Sequence, residues 1–318
     1  MGTSAAAVSG AQARAAIKTG DAGDVDWSSG TVYSFPFLSE SIVKQEQVIN
    51  DNGIRGTRTK SKEQDRAGTY TVAGGLNLVA SPILLSNWLP SILGTAKSAG
   101  GGGGELDRYT TGETLVEFGL LIDKVGKIFE YQDCQVGSAV ITGTKDQVVE
   151  MQLQIQSLEQ AVEASWDSNI SSIAVLANSN PYIFHDLTLT VDGEAGTPVN
   201  EFTITIDNML DVAHRNSQKP TSITPQDRTV SLALTVPFNS TNYTGLYAGA
   251  DTSAQLILSD GSFLCYFEFA HLALERQTPV VSGKTDVGLE LNYTAKASNY
   301  SSSTPSTHEL YVNLDITI

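Results

Sequence analysis

Gly143-Thr144-Lys145-Asp146 leads into the alternating run Val149-Glu150-Met151-Gln152-Leu153, and the pattern returns as Gly283-Lys284-Thr285-Asp286 followed by Leu289-Glu290-Leu291-Asn292-Tyr293. An aromatic-rich strand precedes each, with Phe129 and Tyr131 in the first case and Phe267 and Phe269 in the second. Further out, Glu63-Gln64-Asp65-Arg66 stands before Tyr70-Thr71-Val72 and Leu76-Asn77-Leu78-Val79. Pro225-Gln226-Asp227-Arg228 stands before Val230–Val236 in the same way. Landmarks that recur in one order decide an architecture before local detail does. A period of two puts apolar side chains on one face and polar ones on the other, so the chain reads as one small β-unit laid down twice.

Of the 318 residues 41% are apolar and 17% charged, a mix that suits strands and turns better than helices. The expected division is a flexible N-terminal arm (1–31), a first β domain (32–166), a linker (167–180) and a second β domain ending in a C-terminal strand (181–318). Each domain is a sandwich or barrel with room for a short flanking helix. The arm is rich in Ala, Gly and Ser without apolar periodicity. Ser81-Pro82 and Gly94 bracket one helix whose apolar face is Leu84, Leu85, Trp88 and Leu89, with Pro90 placed to break it early. Asn50–Gly68, with Arg55, Arg58, Lys60, Lys62 and Arg66, reads as a long hairpin loop, either solvated or functional. Gly100–Gly104 reads as an exposed glycine run. Strands are expected at Gln147–Gln156, Leu187–Val191, Phe202–Ile206, Val230–Val236, Leu256–Leu258, Phe263–Phe269, Val287–Tyr293 and Leu310–Ile318.

The net charge is −16 and both halves are acidic, which argues against simple binding of a phosphate backbone. The N-terminus lacks an apolar signal region, and no run approaches the ~18 apolar residues of a membrane helix. A soluble chain is expected. Ala6 stands where a myristoylation signal needs Ser or Thr. Cys134 and Cys265 fall in corresponding strands and are expected to be buried free thiols.

A search for chemistry finds little. His185, His214, His271 and His308 match no zinc-ligand spacing. Gly283-Lys284-Thr285 imitates the end of a phosphate-binding loop, but Thr278 replaces the first glycine and a strand follows instead of a helix. Carboxylate pairs such as Asp24 and Asp26, or Asp207 and Asp211, are ordinary in an acidic chain. No catalytic, cofactor-binding or metal-binding residue is assigned, no cofactor is expected, and the chain does not read as an enzyme. Two other classes stay open. One is a non-enzymatic β-sandwich adhesin or carbohydrate-binding surface protein; the other is a jelly-roll enzyme, which would need a convergent His/Asp/Glu cluster.

Leu187-Thr188-Leu189-Thr190-Val191-Asp192-Gly193, followed by Phe202-Thr203-Ile204-Thr205-Ile206-Asp207-Asn208, resembles the tail tube (major tail) proteins of long, non-contractile-tailed bacteriophages. So do Pro225–Pro237, Phe37-Leu38-Ser39-Glu40-Ser41 and Gly53-Ile54-Arg55-Gly56, and the resemblance spans residues 32 to 297. It implies two tandem tail-tube-like β-sandwich domains in a structural virion protein of a siphovirus tail. Such folds form rings that stack into a tube, a conduit for DNA during ejection. With two folds per chain, a trimer fills six pseudo-equivalent places; a hexamer is the other count. The resemblance further implies contacts with tape measure, tail terminator and baseplate proteins, passage of genomic DNA without specific binding, and no membrane. The expected location is the virion tail, with host cytoplasm during assembly.

Overall fold

The computed structural model describes residues 10–20, 25–28, 32–50, 59, 65–94, 98–99, 106–163, 165–166, 170, 180–238, 252–275, 288–298 and 308–315. The described residues are mainly β. The first half supplies β1 (Arg14–Thr19), β2 (Tyr33–Phe35), β3 (Ser39–Glu40), β4 (Val43–Asn50), β5 (Asp65–Val79), α1 (Pro82–Leu93), β6 (Ser98–Ala99), β7 (Asp107–Thr110), β8 (Phe118–Asp123), β9 (Ile128–Thr144), β10 (Glu150–Ser157) and β11 (Glu159–Glu163). The second supplies β12 (Leu187–Val191), β13 (Glu194–Ala195), β14 (Glu201–Asp207), β15 (Leu210–Ala213), β16 (Ser222–Pro225), β17 (Thr229–Pro237), β18 (Thr252–Ser259), β19 (Leu264–Glu275), β20 (Gly288–Ala295) and β21 (Tyr311–Leu314).

All named strand pairs are antiparallel. An inner sheet runs β4–β5–β10–β9–β14–β17–β20–β19. An outer sheet in the first half runs β2–β1–β8–β9–β11. Another in the second half runs β13–β12–β18–β19–β21 and continues onto β7 and β6. The long strands β9 and β19 belong to both layers. Gln135 onward in β9 pairs with β10, whereas Ile128–Gln132 pair with β11. A β-bulge where β8 meets β9, and another where β18 meets β19, marks each change of sheet.

The alternation read in the sequence is the reason the layers hold. One row crosses six strands as Leu78, Met151, Ile141, Ile204, Leu232 and Tyr293, all buried. The core is therefore continuous from one half into the other. Helix α1 lies within it and is buried on most sides, as an enclosed helix should be. Trp88 meets Phe35 and Phe118 edge-on, with centroids 5.5 and 5.3 Å away. The Ser81 hydroxyl accepts from the Leu84 amide at 3.4 Å, and Gly94 closes the helix at φ 87°. Pro90 does not end it early.

The expected flexible arm needs correction. Within residues 1–31, Arg14–Thr19 form β1, paired with β2 on one side and β8 on the other. Ala15, Ala16 and Ile17 are all buried. Their small side chains let a strand be covered on both faces, which period-two polarity cannot reveal. The expected long loop is shorter at its ends, since β4 continues to Asn50 and β5 begins at Asp65. Its residues 51–58 and 60–64 lie outside the described residues, as do Gly100–Gly104, Gly283-Lys284-Thr285 and most of the 167–180 linker. In the second half the described residues include one 3₁₀ turn, Phe184–Asp186, and no α-helix.

Candidate assembly surfaces

The inner sheet turns its second face away from the core. Gln152 stands beside Asn77 and Val140, and that row continues through Thr205 and Ser231 to Thr294. The next row is Glu150, Thr142, Thr203, Ala233 and Asn292. Glu201 lies between Thr144 and Thr235, and Thr235 in turn faces Glu290. Asp207 lies opposite Ser138 and Thr229, and Glu275 opposite Asn292. Thr, Ser, Asn and Gln thus dominate, and the charges are those of Glu150, Glu201, Asp207, Glu275 and Glu290. Among the described strand residues the one cation on this side is Arg66 of β5, opposite Ile49 beyond the end of β10, where a shift in the β4–β5 register turns it to this face. Lys44 sits on the other side of β4, 4.0 Å from the Tyr70 ring centre and paired with Glu46. A phosphate chain passing such a face would meet mostly carboxylates and hydroxyls, with a single cation, Arg66, on the projecting β4–β5 hairpin.

The junction between halves is built from backbone. β9 and β14 pair over seven positions, from Ser138–Asp207 to Thr144–Glu201. Gly143 leaves room for the ring of Phe202 opposite it: a Cβ there would lie 2.1 Å from Phe202 Cε1. Two side chains reinforce the seam. Asn208 is buried and donates to the carbonyls of Ile92 at 3.1 Å and Val136 at 3.0 Å. Arg228 donates to the Gly112 carbonyl at 2.6 Å and to Glu309 at 2.8 Å. On the outer layer, β7 of the first half pairs with β21 of the second.

At the far end of the inner sheet, β4 pairs with β5 alone among the described residues. Its burial is slight, and Val43, Val48 and Ile49 are 46%, 68% and 60% exposed. An exposed strand edge carrying apolar residues is a template for another strand. The β4–β5 hairpin projects past the end of β10, and the connection between β15 and β16 fastens its base. The Tyr70 amide donates to the Gln218 carbonyl at 3.0 Å, His214 Nε2 hydrogen-bonds the Tyr70 carbonyl at 2.7 Å, and Gln218 Nε2 reaches Ala67 at 2.8 Å. Lys219 pairs with Glu159.

The residues screened for chemistry stay apart. His185 is exposed and meets Asp146 at 2.9 Å, His214 holds Tyr70, and His308 Nδ1 lies 2.9 Å from the Thr111 carbonyl. Asp207 accepts from the Met209 amide in a turn. Among the described residues no group of three His, Cys, Asp or Glu is placed to hold a metal. Cys134 and Cys265 are buried and unpaired in β9 and β19, and burial pushes both thiols well above their ordinary range, away from reactivity. No described helix is long and apolar enough to cross a membrane.

The described residues give a β-rich protein with an extended polar sheet face and an open strand edge. The chain belongs to the phage tail tube protein family, whose family model matches residues 2–295. No curated protein matches it significantly. It is accordingly a structural component of a phage tail, in a family whose members assemble into a tube.

Proposed function

We propose that the chain is a duplicated tail tube unit, that three copies close a ring with six pseudo-equivalent places, and that stacked rings form a conduit for DNA. The observation that carries this reading is the β9–β14 pairing, a strand junction between halves that a ring can reuse between chains. The pairings themselves repeat. β1–β8, β8–β9, β9–β10, β10–β5, β5–β4 and β9–β11 correspond to β12–β18, β18–β19, β19–β20, β20–β17, β17–β14 and β19–β21. In that correspondence β4 matches β14. The partner of β14 is β9 in the same chain, so the open edge of β4 is the place for the second half of a neighbouring chain. Closing the inner sheet in this way removes its exposed edges.

The polar, acidic face then lines the lumen, and its scarcity of cations, Arg66 on the projecting hairpin apart, suits passage without specific binding. A non-enzymatic role follows from this reading, as do contacts with tape measure, tail terminator and baseplate proteins at the tube ends and assembly in host cytoplasm. The domain limits become roughly one unit from β1 to β11 and one from β12 to β21. Sizing and negative-stain microscopy of the purified protein test the proposal. Rings or tubes with an open centre are expected; a compact monomer that never associates would favour the adhesin reading.

A further inference from the structure

β11 ends the outer sheet of the first half and pairs with β9 alone among the described residues. The Lys124 amide donates to the Lys127 carbonyl at 2.8 Å in the turn between β8 and β9. From there ladder alternation turns Phe129 and Tyr131 toward β8 and Glu130 toward β11, where Ala161 stands opposite it. The amides and carbonyls of Gln160 and Val162 therefore face the open side. Phe129 packs against the main core, and Val162 lies opposite it on the same side of the sheet, yet Val162 is 58% exposed. An apolar residue on the core-facing side of an open edge marks a place for a further strand.

In the second half that strand is present. β21 holds the place of β11 there, with Val312 opposite Phe267 as Val162 is opposite Phe129. The bulges fix the correspondence, since one falls between Tyr131 and Cys134 and the other between Phe269 and Leu272. Val312 is fully buried because β7 of the first half pairs along its edge, with Tyr109 directly opposite. β7 lies between β5 and β8, so its counterpart in the second half belongs between β17 and β18. Residues 239–251 of that connection lie outside the described residues, but their sequence repeats β7. Tyr109-Thr110 precedes Phe118, and Tyr243-Thr244 precedes Thr252 at the same spacing, Phe118 and Thr252 being matched by the bulges.

We propose that the edge of β11 is a second joint between chains, which takes residues 241–244 of a neighbouring copy with Tyr243 opposite Val162. In the proposed ring, on which this joint rests, each chain already joins its own halves twice, β9 to β14 and β7 to β21. Between chains the second half of one copy then offers β19 to β4 and residues 241–244 to β11. Residues 241–244 carry no charge, so they approach Glu159 and Glu163 at the two ends of β11 without repulsion, and Glu159 is already paired with Lys219. Tyr243 covers Val162 in this joint as Tyr109 covers Val312.

Disulfide trapping tests the joint. Residues directly opposite on antiparallel strands lie about 5.5 Å apart between Cα atoms, within disulfide reach. Full-length Val162→Cys and Tyr243→Cys chains, mixed, assembled and mildly oxidised, should give linked dimers in tubes and none before assembly. Cys134 and Cys265 are buried and stay out of the reaction. In wild-type tubes, which need no substitution, the Val162 amide should exchange at least roughly tenfold more slowly than in the unassembled chain. If the mixed variants fail to assemble, that exchange measurement decides. Tubes without the link, or with Val162 exchanging as fast as before assembly, would overturn this joint and leave the ring standing. A link formed inside one chain carrying both substitutions would overturn it as well. A wild-type chain that never assembles would overturn the ring and the joint together.

Discussion

A proline inside a helix leaves the carbonyl four residues earlier without its donor. In α1 that carbonyl belongs to Ser86, and the Tyr109 hydroxyl of β7 donates to it at 3.4 Å. The helix can thus continue through Pro90 to Leu93. Tyr109→Phe should cost about 1 kcal/mol by leaving the half-buried carbonyl unmet. In a Pro90→Ala background the restored amide supplies the donor, so the same change should cost about 0.5 kcal/mol or less. Denaturant unfolding of the four proteins measures the coupling, and equal costs in both backgrounds would remove Tyr109 from this role. The contrast marks what a sequence can disclose at this scale. Ser81 and Gly94 cap the helix locally and are readable as such. Tyr109, and Asn208 holding the Ile92 carbonyl, act from elements far away in the chain, and no local signal points to them.

Among elements, periodicity was legible and partnership was not. Leu187–Val191 has the bounds its alternation predicts, and Glu150–Ser157 alternates as read. β19 runs past Phe269 to Glu275 because it crosses from the outer to the inner layer, where Ala273 and Glu275 join the polar face. β1 escaped notice because two alanines and one isoleucine carry no polar alternation. The open edge of β4 could not be read at all, since an edge is defined by the strand that is missing from it. Ser41 donates to the Gly75 carbonyl, and ladder alternation then turns the amide of Lys44 toward the open side. Lys44→Pro should therefore leave the β4–β5 ladder and the folded monomer in place while blocking polymerisation. Circular dichroism and microscopy check the two halves of that statement, and normal tube growth would take the β4 edge out of the joint. The polar face allows a second test. Gln152→Lys with Gln154→Lys should give tubes that retain DNA, with affinity falling as salt rises; indifference to DNA would place that face elsewhere than the lumen.

For the whole molecule the question is how many chains complete a ring. In a ring of identical units each junction repeats. Here one junction already lies within the chain, where β9 meets β14 and β7 meets β21. The core row that crosses it without interruption makes the two halves one packed body. In the proposed ring the inner sheet of one chain would span two places, and the remaining joints would fall between chains. As proposed, these joints would rest on backbone pairing and apolar burial, so raised salt, which screens exposed ion pairs, should not dissolve them. The proposal then has six places filled by three chains, with two kinds of joint alternating around the ring. The halves need not match on the outside. The first carries α1 and β7 between β5 and β8, whereas no α-helix is described in the second. A cross-section should accordingly look sixfold along the inner wall and only threefold outside it. Cryo-electron microscopy of the tubes, with subunit counting by native mass spectrometry of released rings, measures both. Six chains per ring, or a second half lying outside the tube wall, would refute the duplicated unit while leaving the tail tube itself intact.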